Sequence, residues 1–217
     1  MKSIAIQVAV ILAYTLPLHE AAAQKTFRAR ASDYAPVSYG TPETDPVVEP
    51  QTLNAGQIQQ LIFDYTNQER QRYGLQTFRP NDYLAAAATG HSTDMAQRSY
   101  FSHTGKGLMN KSDPTARVAA TGFRPQGVAE NIAKLPTFRS QQFQTVQTQQ
   151  GPRTSVSTNG NTYTQIAASA VRMWMDSPGH RENILNPRYT QLGVGVALGY
   201  EKSVPYVYLT QNFCSEQ

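Results

Sequence analysis

Two histidines and one glutamate, far apart in this 217-residue sequence, have side chains that could do chemistry. They are His103, Glu130 and His180. Two neutral imidazoles and a carboxylate can hold a divalent metal ion and leave a position open for water, as hydrolytic zinc sites do. No two of the three share the local spacing of a helical zinc site, so they form a site only if the fold brings them together.

The helix signals around His180 predict its environment. Pro178 cannot continue the preceding helix without losing a backbone hydrogen bond, so that helix is predicted to end near Ser177. Ser177 then acts as N-cap and Pro178 as the first residue of a new helix, which places His180 in its first turn. Such a histidine is predicted to be half exposed and biased towards the neutral imidazole by the helix dipole.

The residues around His103 and Glu130 leave two readings open for each. His103 follows two aromatic residues and precedes a glycine-rich loop, so it is either a functional side chain on an anchored loop or a surface histidine. Glu130 interrupts a short apolar strand. Because an unpaired buried glutamate is costly, it either faces a cleft or binds a cation or a histidine, or else it lies on an exposed edge.

Helical periodicity predicts the elements that must position these residues. The first helix covers residues 58–75, with Gly74 as its C-terminal cap. The second begins at the N-cap Asn81 and continues to about Arg98. Its small residues at 85–88 would let another backbone pack closely against it.

Three more residues have roles that their helices predict. His91 lies on the apolar face of the second helix, where a histidine is more often a hydrogen-bonded core residue than a ligand. Asp113 is a suitable N-cap for a third helix. Trp174 lies on the helix that ends near Ser177, the fourth in the chain, and is predicted to be buried between that helix and a sheet.

Two strands are predicted near the C-terminus, at 192–198 and 206–213. In the first, large apolar side chains take one face, while Gly193 and Gly195 leave the other bare, which lets a helix approach the backbone closely. With the strand around Glu130 they make a central, mainly antiparallel three-stranded sheet. We therefore predict an α+β fold, a three-layer α-β-α sandwich.

A polar insertion is predicted at about 134–164, which is longer than the usual connection in a compact domain. Its segments 144–148 and 154–158 could pair as a hairpin around a Gly-Pro turn. The insertion is then either a flap or an unstructured segment. Its position between Glu130 and the helix before His180 would let it overhang a cleft.

Four ordered segments resemble the signature of the CAP superfamily, the secreted fold shared by cysteine-rich secretory proteins, insect venom antigen 5 and plant pathogenesis-related class-one proteins. The segments are YTNQER at 65–70, YFSH at 100–103, AENI at 129–132 and WMDSPGHRENILNPRYTQLGVGVA at 174–197. The chain is similar to the bacterial, SCP-like extracellular members over residues 53–217. The resemblance implies the same α-β-α sandwich.

The resemblance also implies a cleft with two histidines and two acids. His103 and His180 match its histidines and are the implied metal ligands. Glu130 matches the carboxylate between them. The implied cofactor is a divalent metal such as zinc, bound weakly.

The second acid of the family's cleft is missing at the matching place. Eukaryotic relatives carry a glutamate three residues after the helix tryptophan, where this chain has Ser177. Asp176 and Glu182 are the candidates to replace it, and we include Asp176 among the cleft residues. Ser177 is more plausible as a helix cap than as a nucleophile.

Two functions are compatible with such a cleft. The first is an extracellular binding or signalling module for a small apolar, lipid-like or peptide ligand, or for cell-wall material. The second is a metal-assisted extracellular hydrolase acting on peptide or cell-wall material. The incomplete acid set and the lack of an activated nucleophile favour the first, and no catalytic residue is assigned. In a third reading, the four motifs only determine the fold.

Cys214 is the only cysteine, so the chain can form no internal disulfide. This departs from the disulfide-rich animal and plant branches of the family. We read Cys214 as a small residue at a strand end. The domain must therefore be stabilised by its core alone.

The N-terminal region has the features of an exported protein. Residues 1–23 combine Lys2, an apolar run and small residues before a cleavage site after Ala23, which predicts a signal peptide. An uncleaved anchor is the alternative, but the run contains Pro17 and is shorter than the roughly 20 residues that a bilayer requires. Residues 24–52 are predicted to be a disordered proline-rich linker. The expected location is extracellular or periplasmic, with no transmembrane segment after cleavage.

The net charge of the chain is +4, and removing residues 1–23 leaves it unchanged because one lysine and one glutamate are lost. The basic residues are scattered and form no blocks. This charge permits weak attraction to anionic wall polymers or lipid head groups. It gives no support to nucleic-acid binding.

Overall fold

The computed structural model describes residues 39, 44–106 and 113–215, without the side chains of Phe143 and Val156. The predicted signal peptide and most of the predicted linker lie outside these residues. The helices are α1 Ala55–Arg72, α2 Asp82–Gln97, α3 Pro114–Ala119, α4 Tyr163–Asp176 and α5 Pro178–Leu185. The strands are β1 Arg79–Pro80, β2 Val128–Pro136, β3 Phe138–Thr148, β4 Gly151–Gly160, β5 Gln191–Glu201 and β6 Val204–Cys214. In these ranges no helix is long and apolar enough to cross a membrane.

The α+β sandwich is confirmed, with one more strand in its central sheet than predicted. The strand order is β1-β5-β6-β2, and the three long strands are antiparallel as expected. The additional strand, β1, pairs parallel to β5 through only two residues. So short a segment has no period from which a strand can be predicted.

Alternate residues of β6 show which helices cover each face of the sheet. The Thr210 hydroxyl is 2.8 Å from the Ser92 hydroxyl on α2, whereas Gln211 Nε2 donates to Thr66 Oγ1 on α1 at 2.8 Å. Since successive side chains of a strand point to opposite faces, α2 and α1 lie on opposite sides. Helix α3 lies beside α2, and α4 and α5 lie with α1.

The bare face of β5 is where α2 packs, as the glycine pattern predicts. A Cβ atom added to Gly193 would lie 2.1 Å from the backbone nitrogen of Ala85, and one added to Gly195 would lie 2.1 Å from the carbonyl carbon of Ala88. The obstructing atoms belong to the helix backbone, so neither could move aside without shifting the helix. The glycines therefore set the separation between helix and sheet.

We expect Gly195→Ala to lower the free energy of unfolding by about 1–3 kcal/mol or more, because overpacked cores are destabilised by this amount. Gly90→Ala is the matched control. Gly90 lies within α2 and has open space around its Cβ position, so alanine should stabilise by about 0.5–1 kcal/mol. Urea unfolding of both variants measures the two opposite effects. Equal stabilities would show that α2 does not lie this close to β5.

Side chains cover the outer edge of β2, which is the last strand of the sheet. Trp174 Nε1 donates to the Ile132 carbonyl at 3.0 Å, and Asn161 Nδ2 donates to the Pro136 carbonyl at 3.1 Å. Trp174 is 1% exposed, which confirms that it is buried between α4 and the sheet. These contacts satisfy carbonyl groups that an edge strand otherwise leaves open.

Tyr39 and residues 44–54, which precede α1, pack on the domain. The Tyr39 ring stacks on Tyr65 with centroids 4.2 Å apart, and its hydroxyl donates to Glu69 Oε1 at 2.7 Å. Val48 is buried, and its N–H donates to a main-chain carbonyl before α4. Tyr39 and residues 44–52 thus form part of the folded domain rather than part of a disordered linker. The segment was predicted to be disordered because it is rich in proline and polar residues, but a few apolar side chains, among them Tyr39 and Val48, are enough to fix it on the domain.

The predicted polar hairpin is formed by β3 and β4, with Thr145 opposite Thr154 and their hydroxyls 2.9 Å apart. It begins where β2 ends, and the Thr137 N–H donates to the Pro205 carbonyl at 3.1 Å. The stretch of β2 from Glu130 to Pro136 is about 20 Å long. The hairpin is therefore rooted at the end of β2 remote from Glu130, whereas the sequence suggested that it could overhang a cleft there.

Candidate functional site

Glu130 is the centre of a buried polar cluster on the α2 side of β2. Its side chain is fully buried. Oε1 accepts a hydrogen bond from His103 Nδ1 at 2.9 Å, and Oε2 accepts one from the Arg117 guanidinium at 2.7 Å. Of the two readings of Glu130, the structure shows the one in which the carboxylate binds a histidine and a cation.

Opposing effects act on the pKa of Glu130. Burial raises this pKa, but the hydrogen bond from His103 and the positive charge of Arg117 outweigh burial and hold it below its ordinary value. The carboxylate is therefore charged at neutral pH. A charged carboxylate beside His103 Nδ1 favours the tautomer that carries the proton on Nδ1 and leaves Nε2 unprotonated.

His91 is a buried core residue and also part of this cluster. Its Nε2 donates to the Ser102 carbonyl at 3.0 Å and lies 3.7 Å from Glu130 Oε1. Within the part of the chain that the structure describes, His91 Nδ1 has no hydrogen-bond partner. By binding Ser102, His91 fixes the main chain immediately before His103. The prediction that His91 is a hydrogen-bonded core residue is confirmed. Its position beside Glu130 was not predicted from the sequence.

We expect the protein to lose up to about 3 kcal/mol of stability between pH 6.5 and pH 4 through His91. Burial lowers the pKa of His91 to about 4, so the folded state disfavours its protonation. Above pH 6.5 the side chain is neutral in both states, and below it the unfolded state binds the proton first, which favours unfolding. Glu130 adds a loss of the same sign at still lower pH, because its folded-state pKa is also lowered.

Urea unfolding at several pH values measures this slope. The matched variant is His91→Gln, which can still donate to the Ser102 carbonyl but does not titrate. Its stability should change less between pH 6.5 and pH 4 than that of the wild type. An unchanged slope would contradict the assignment to His91.

Arg117 and Asn212 complete the cluster, and neither was predicted from the sequence. Arg117 also donates to the His103 carbonyl at 3.0 Å, so one guanidinium holds the carboxylate and the histidine backbone. Asn212 lies directly opposite Glu130 in the β2–β6 ladder. In the amide orientation that satisfies its neighbours, its nitrogen donates to Glu130 Oε2 at 3.1 Å and its oxygen accepts from the Ala88 N–H at 3.2 Å.

No local signal identifies Arg117, because its role depends on where α3 lies beside β2. Asn212 could have been found had the β2–β6 register been known, since a residue directly opposite a buried acid is its nearest cross-strand neighbour. Both residues are therefore consequences of tertiary placement.

His180 is 1% exposed, whereas its helix position predicted half exposure. Its main-chain carbonyl accepts from Asn131 Nδ2 at 3.1 Å, and Asn183 Nδ2 donates to Asn131 Oδ1 at 2.9 Å. These bonds attach α5 to β2, and His180 is buried where the two elements meet. Because adjacent strand residues face opposite ways, Asn131 points towards α5 while Glu130 points towards α2.

Arg70, in the YTNQER segment, holds the other end of α5. Its guanidinium donates to the carbonyls of Ile184 at 2.7 Å and Asn186 at 3.0 Å. These groups are among the carbonyls that a helix C-terminus leaves without intrahelical partners. Helix α5, which carries His180, is thus fixed at both ends.

The second acid of the cleft stays a prediction. Asp176 is the last residue of α4 and is exposed, and Glu182 is exposed as well. Among the described residues, Asp176 hydrogen-bonds to none of the other predicted cleft residues. In the same part of the chain, no group of three or more His, Cys, Asp or Glu side chains is arranged to hold a metal ion. A metal bound by His103 and His180 likewise stays a prediction.

The chain is similar to a known protein family and to two curated bacterial proteins. Residues 63–213 match the sequence model of the Cysteine-rich secretory protein family, CAP. The chain is 28% identical over 175 residues to an uncharacterized protein, YkwD, of Bacillus subtilis, covering 80% of this chain and 56% of that protein. It is 32% identical over 153 residues to an uncharacterized membrane protein, YlbC, of the same species, covering 70% of this chain and 33% of that one. The chain therefore spans about half or less of these curated relatives.

Solved structures show the same fold. One is an extracellular protein with an SCP domain from Bacillus anthracis, at 29% identity and a TM-score of 0.51, covering 75% of this chain and 41% of that one. Another is an outer surface protein of Borrelia burgdorferi, at 13% identity and a TM-score of 0.51, covering 76% of this chain and 97% of that one. At 13% identity the second likeness concerns the fold alone.

Proposed function

Because this chain belongs to the CAP, or Cysteine-rich secretory protein, family, we propose that it is an exported extracellular binding or signalling module. Its ligand is a small apolar, lipid-like or peptide molecule, or cell-wall material, held in a cleft formed by His103, Glu130 and His180. Export through the signal at residues 1–23 belongs to the same proposal. The extracellular Bacillus anthracis relative supports this location.

The main observation in support of the proposal is that both oxygens of the Glu130 carboxylate already accept hydrogen bonds within the protein. Both of its oxygens are engaged, one by His103 and one by Arg117, and the group is fully buried. A carboxylate in this state orients an imidazole rather than acting as a general base towards a substrate. Cys214 supplies no nucleophile either, since it is buried and burial raises its pKa to about 11. These features support a fixed recognition surface.

The proposal includes a divalent metal ion as a weakly bound partner, with His103 and His180 as its ligands. His103 with its Nδ1 bound to a carboxylate has the arrangement common in metal-ligating histidines, with Nε2 as the ligand. His180 is the second ligand. Glu130 orients the His103 ring through the hydrogen bond to Nδ1 and does not itself bind the ion. When bound, a divalent ion would act as a Lewis acid towards a ligand carbonyl or water.

This arrangement also defines the second candidate, a metal-assisted hydrolase. Catalytic zinc sites have three protein ligands and an open position, whereas two imidazoles are proposed here. The binding module is therefore favoured over the hydrolase. Incubating the zinc-loaded protein with a fluorescent peptide library and with peptidoglycan separates the two. Turnover that disappears in His103→Gln would establish the hydrolase.

We expect zinc to bind weakly at about pH 7.5 and more weakly at about pH 5.5, because an imidazole binds a metal ion only without its proton and protons compete more strongly at lower pH. His103→Gln and His180→Gln should each abolish binding. Calorimetric titration measures affinity, and circular dichroism of each variant checks that the fold is kept. Asp176→Asn tests the second acid, since it weakens affinity only if that carboxylate reaches the ion. Identical titrations for wild type and both histidine variants would remove the metal site.

A further inference from the structure

The β3–β4 hairpin presents two open strand edges. Within the described ranges its strands pair only with each other. Its side chains are exposed on both faces over residues 144–150, so neither face is covered by the domain. A two-stranded hairpin on its own is marginally stable in water, and an open edge can pair with another strand.

The two edges are not equivalent. Strand β4 carries Pro152 and Arg153, and proline and charge are the usual devices that block edge pairing. In β3 the stretch from Ser140 to Thr148 has no proline and no charged residue. Its one charged residue, Arg139, lies at the irregular pairing near the root. Of the two edges, that of β3 is therefore the one available to pair with another strand.

The root of the hairpin is anchored, so the β3 edge has a fixed position. Phe138 is 3% exposed, and Asn161 Nδ2 donates to the Pro136 carbonyl. The 11 residues of β3 extend about 35 Å from this anchor. A rigid root limits the orientational freedom that must be lost when the edge pairs with another molecule.

We propose that β3 pairs with β3 of a second copy of this chain, forming a two-fold symmetric four-stranded sheet. A strand placed antiparallel to itself makes the same contacts from both sides, as a two-fold dimer requires. The uncharged stretch from Ser140 to Thr148 allows two copies to meet without like-charge repulsion. Its Gln and Thr side chains each donate and accept, so identical residues can hydrogen-bond across the axis.

This dimer is independent of the ligand proposed at His103, because His103 contacts Glu130 near the other end of β2. An interface of one strand pair falls at the lower end of specific interface sizes. We therefore expect a dimer that dissociates on dilution. Sedimentation velocity of the purified protein from about 1 to about 200 µM should show monomer giving way to dimer as concentration rises.

Gln142→Lys and Ser157→Lys are the matched variants, because both residues are exposed and they face each other across the hairpin. A lysine on β3 places two like charges at the proposed interface, whereas one on β4 lies on the outer strand. Gln142→Lys should weaken dimerisation at least about 10-fold, and Ser157→Lys should leave it unchanged.

Three results would overturn the proposal. The first is a monomer at every concentration. The second is an equal loss of dimer in both variants, which would mean that charge on the hairpin acts without regard to the edge. The third is a dimer that survives Gln142→Lys, which would place the interface elsewhere.

Discussion

Trp174→Ala should lower the free energy of unfolding by about 3–5 kcal/mol, the range for truncating a large buried aromatic residue. Trp174 is 1% exposed, and its indole N–H satisfies the Ile132 carbonyl at the edge of the sheet. Alanine would leave a cavity between α4 and β2 and would also remove a donor from a buried carbonyl. Urea unfolding followed by far-UV circular dichroism measures the loss.

Trp174→Phe separates the two contributions. Phenylalanine keeps most of the ring volume but cannot donate to Ile132, so it should cost about 1–3 kcal/mol, the penalty for leaving a buried acceptor unsatisfied. A loss below about 1 kcal/mol for Trp174→Ala, as is typical of surface positions, would contradict the placement of α4 against the sheet. The position of α5 beside β2 would then be in doubt, because α5 follows α4 directly.

The contact between α2 and β5 shows what a sequence can predict. Gly193 and Gly195 alternate with large apolar residues, and the alanines at 85–88 leave room for a backbone. Each pattern alone indicates close packing, and the structure brings the two together. Local periodicity was sufficient here because both partners carry their own signal.

His180 shows where local rules fail. A first-turn position predicts partial exposure, but burial depends on what packs against that turn. The Asn131 side chain binds the His180 carbonyl and brings the strand over it. Asn131 and His180 are 49 residues apart, and no periodicity relates them. The disorder predicted for the segment that contains Tyr39 was wrong for the same reason. Its hydrogen-bond partner, Glu69, lies on α1, 30 residues away in the sequence.

The Glu130 cluster lies between these two cases. An acid within an apolar strand signals a buried partner, and the sequence predicted a histidine or a cation as that partner. The structure supplies His103 and Arg117 together. The family resemblance pointed to His103, but no pattern pointed to Arg117. The chemistry of a buried acid was therefore predictable, whereas the identity of its second partner was not.

Glu130→Gln should lower the free energy of unfolding by about 3–5 kcal/mol, because breaking a buried ion pair leaves one charge uncompensated. The remaining charge is that of Arg117, whose side chain is 4% exposed. The neutral amide also removes the charged acceptor that holds the proton on His103 Nδ1. We therefore expect loss of that tautomer preference in nitrogen-15 NMR spectra, together with weaker zinc binding.

The double variant Glu130→Gln/Arg117→Met distinguishes stability from site geometry. Removing both charges should recover much of the stability lost in Glu130→Gln, because apolar replacements of buried ion pairs are often well tolerated. It should not restore the His103 tautomer or zinc affinity, since the carboxylate is still absent. If the double variant recovers zinc binding along with stability, Glu130 serves only to neutralise Arg117. If it recovers stability alone, the carboxylate positions His103 for the ligand, and the cleft is a recognition site in its own right.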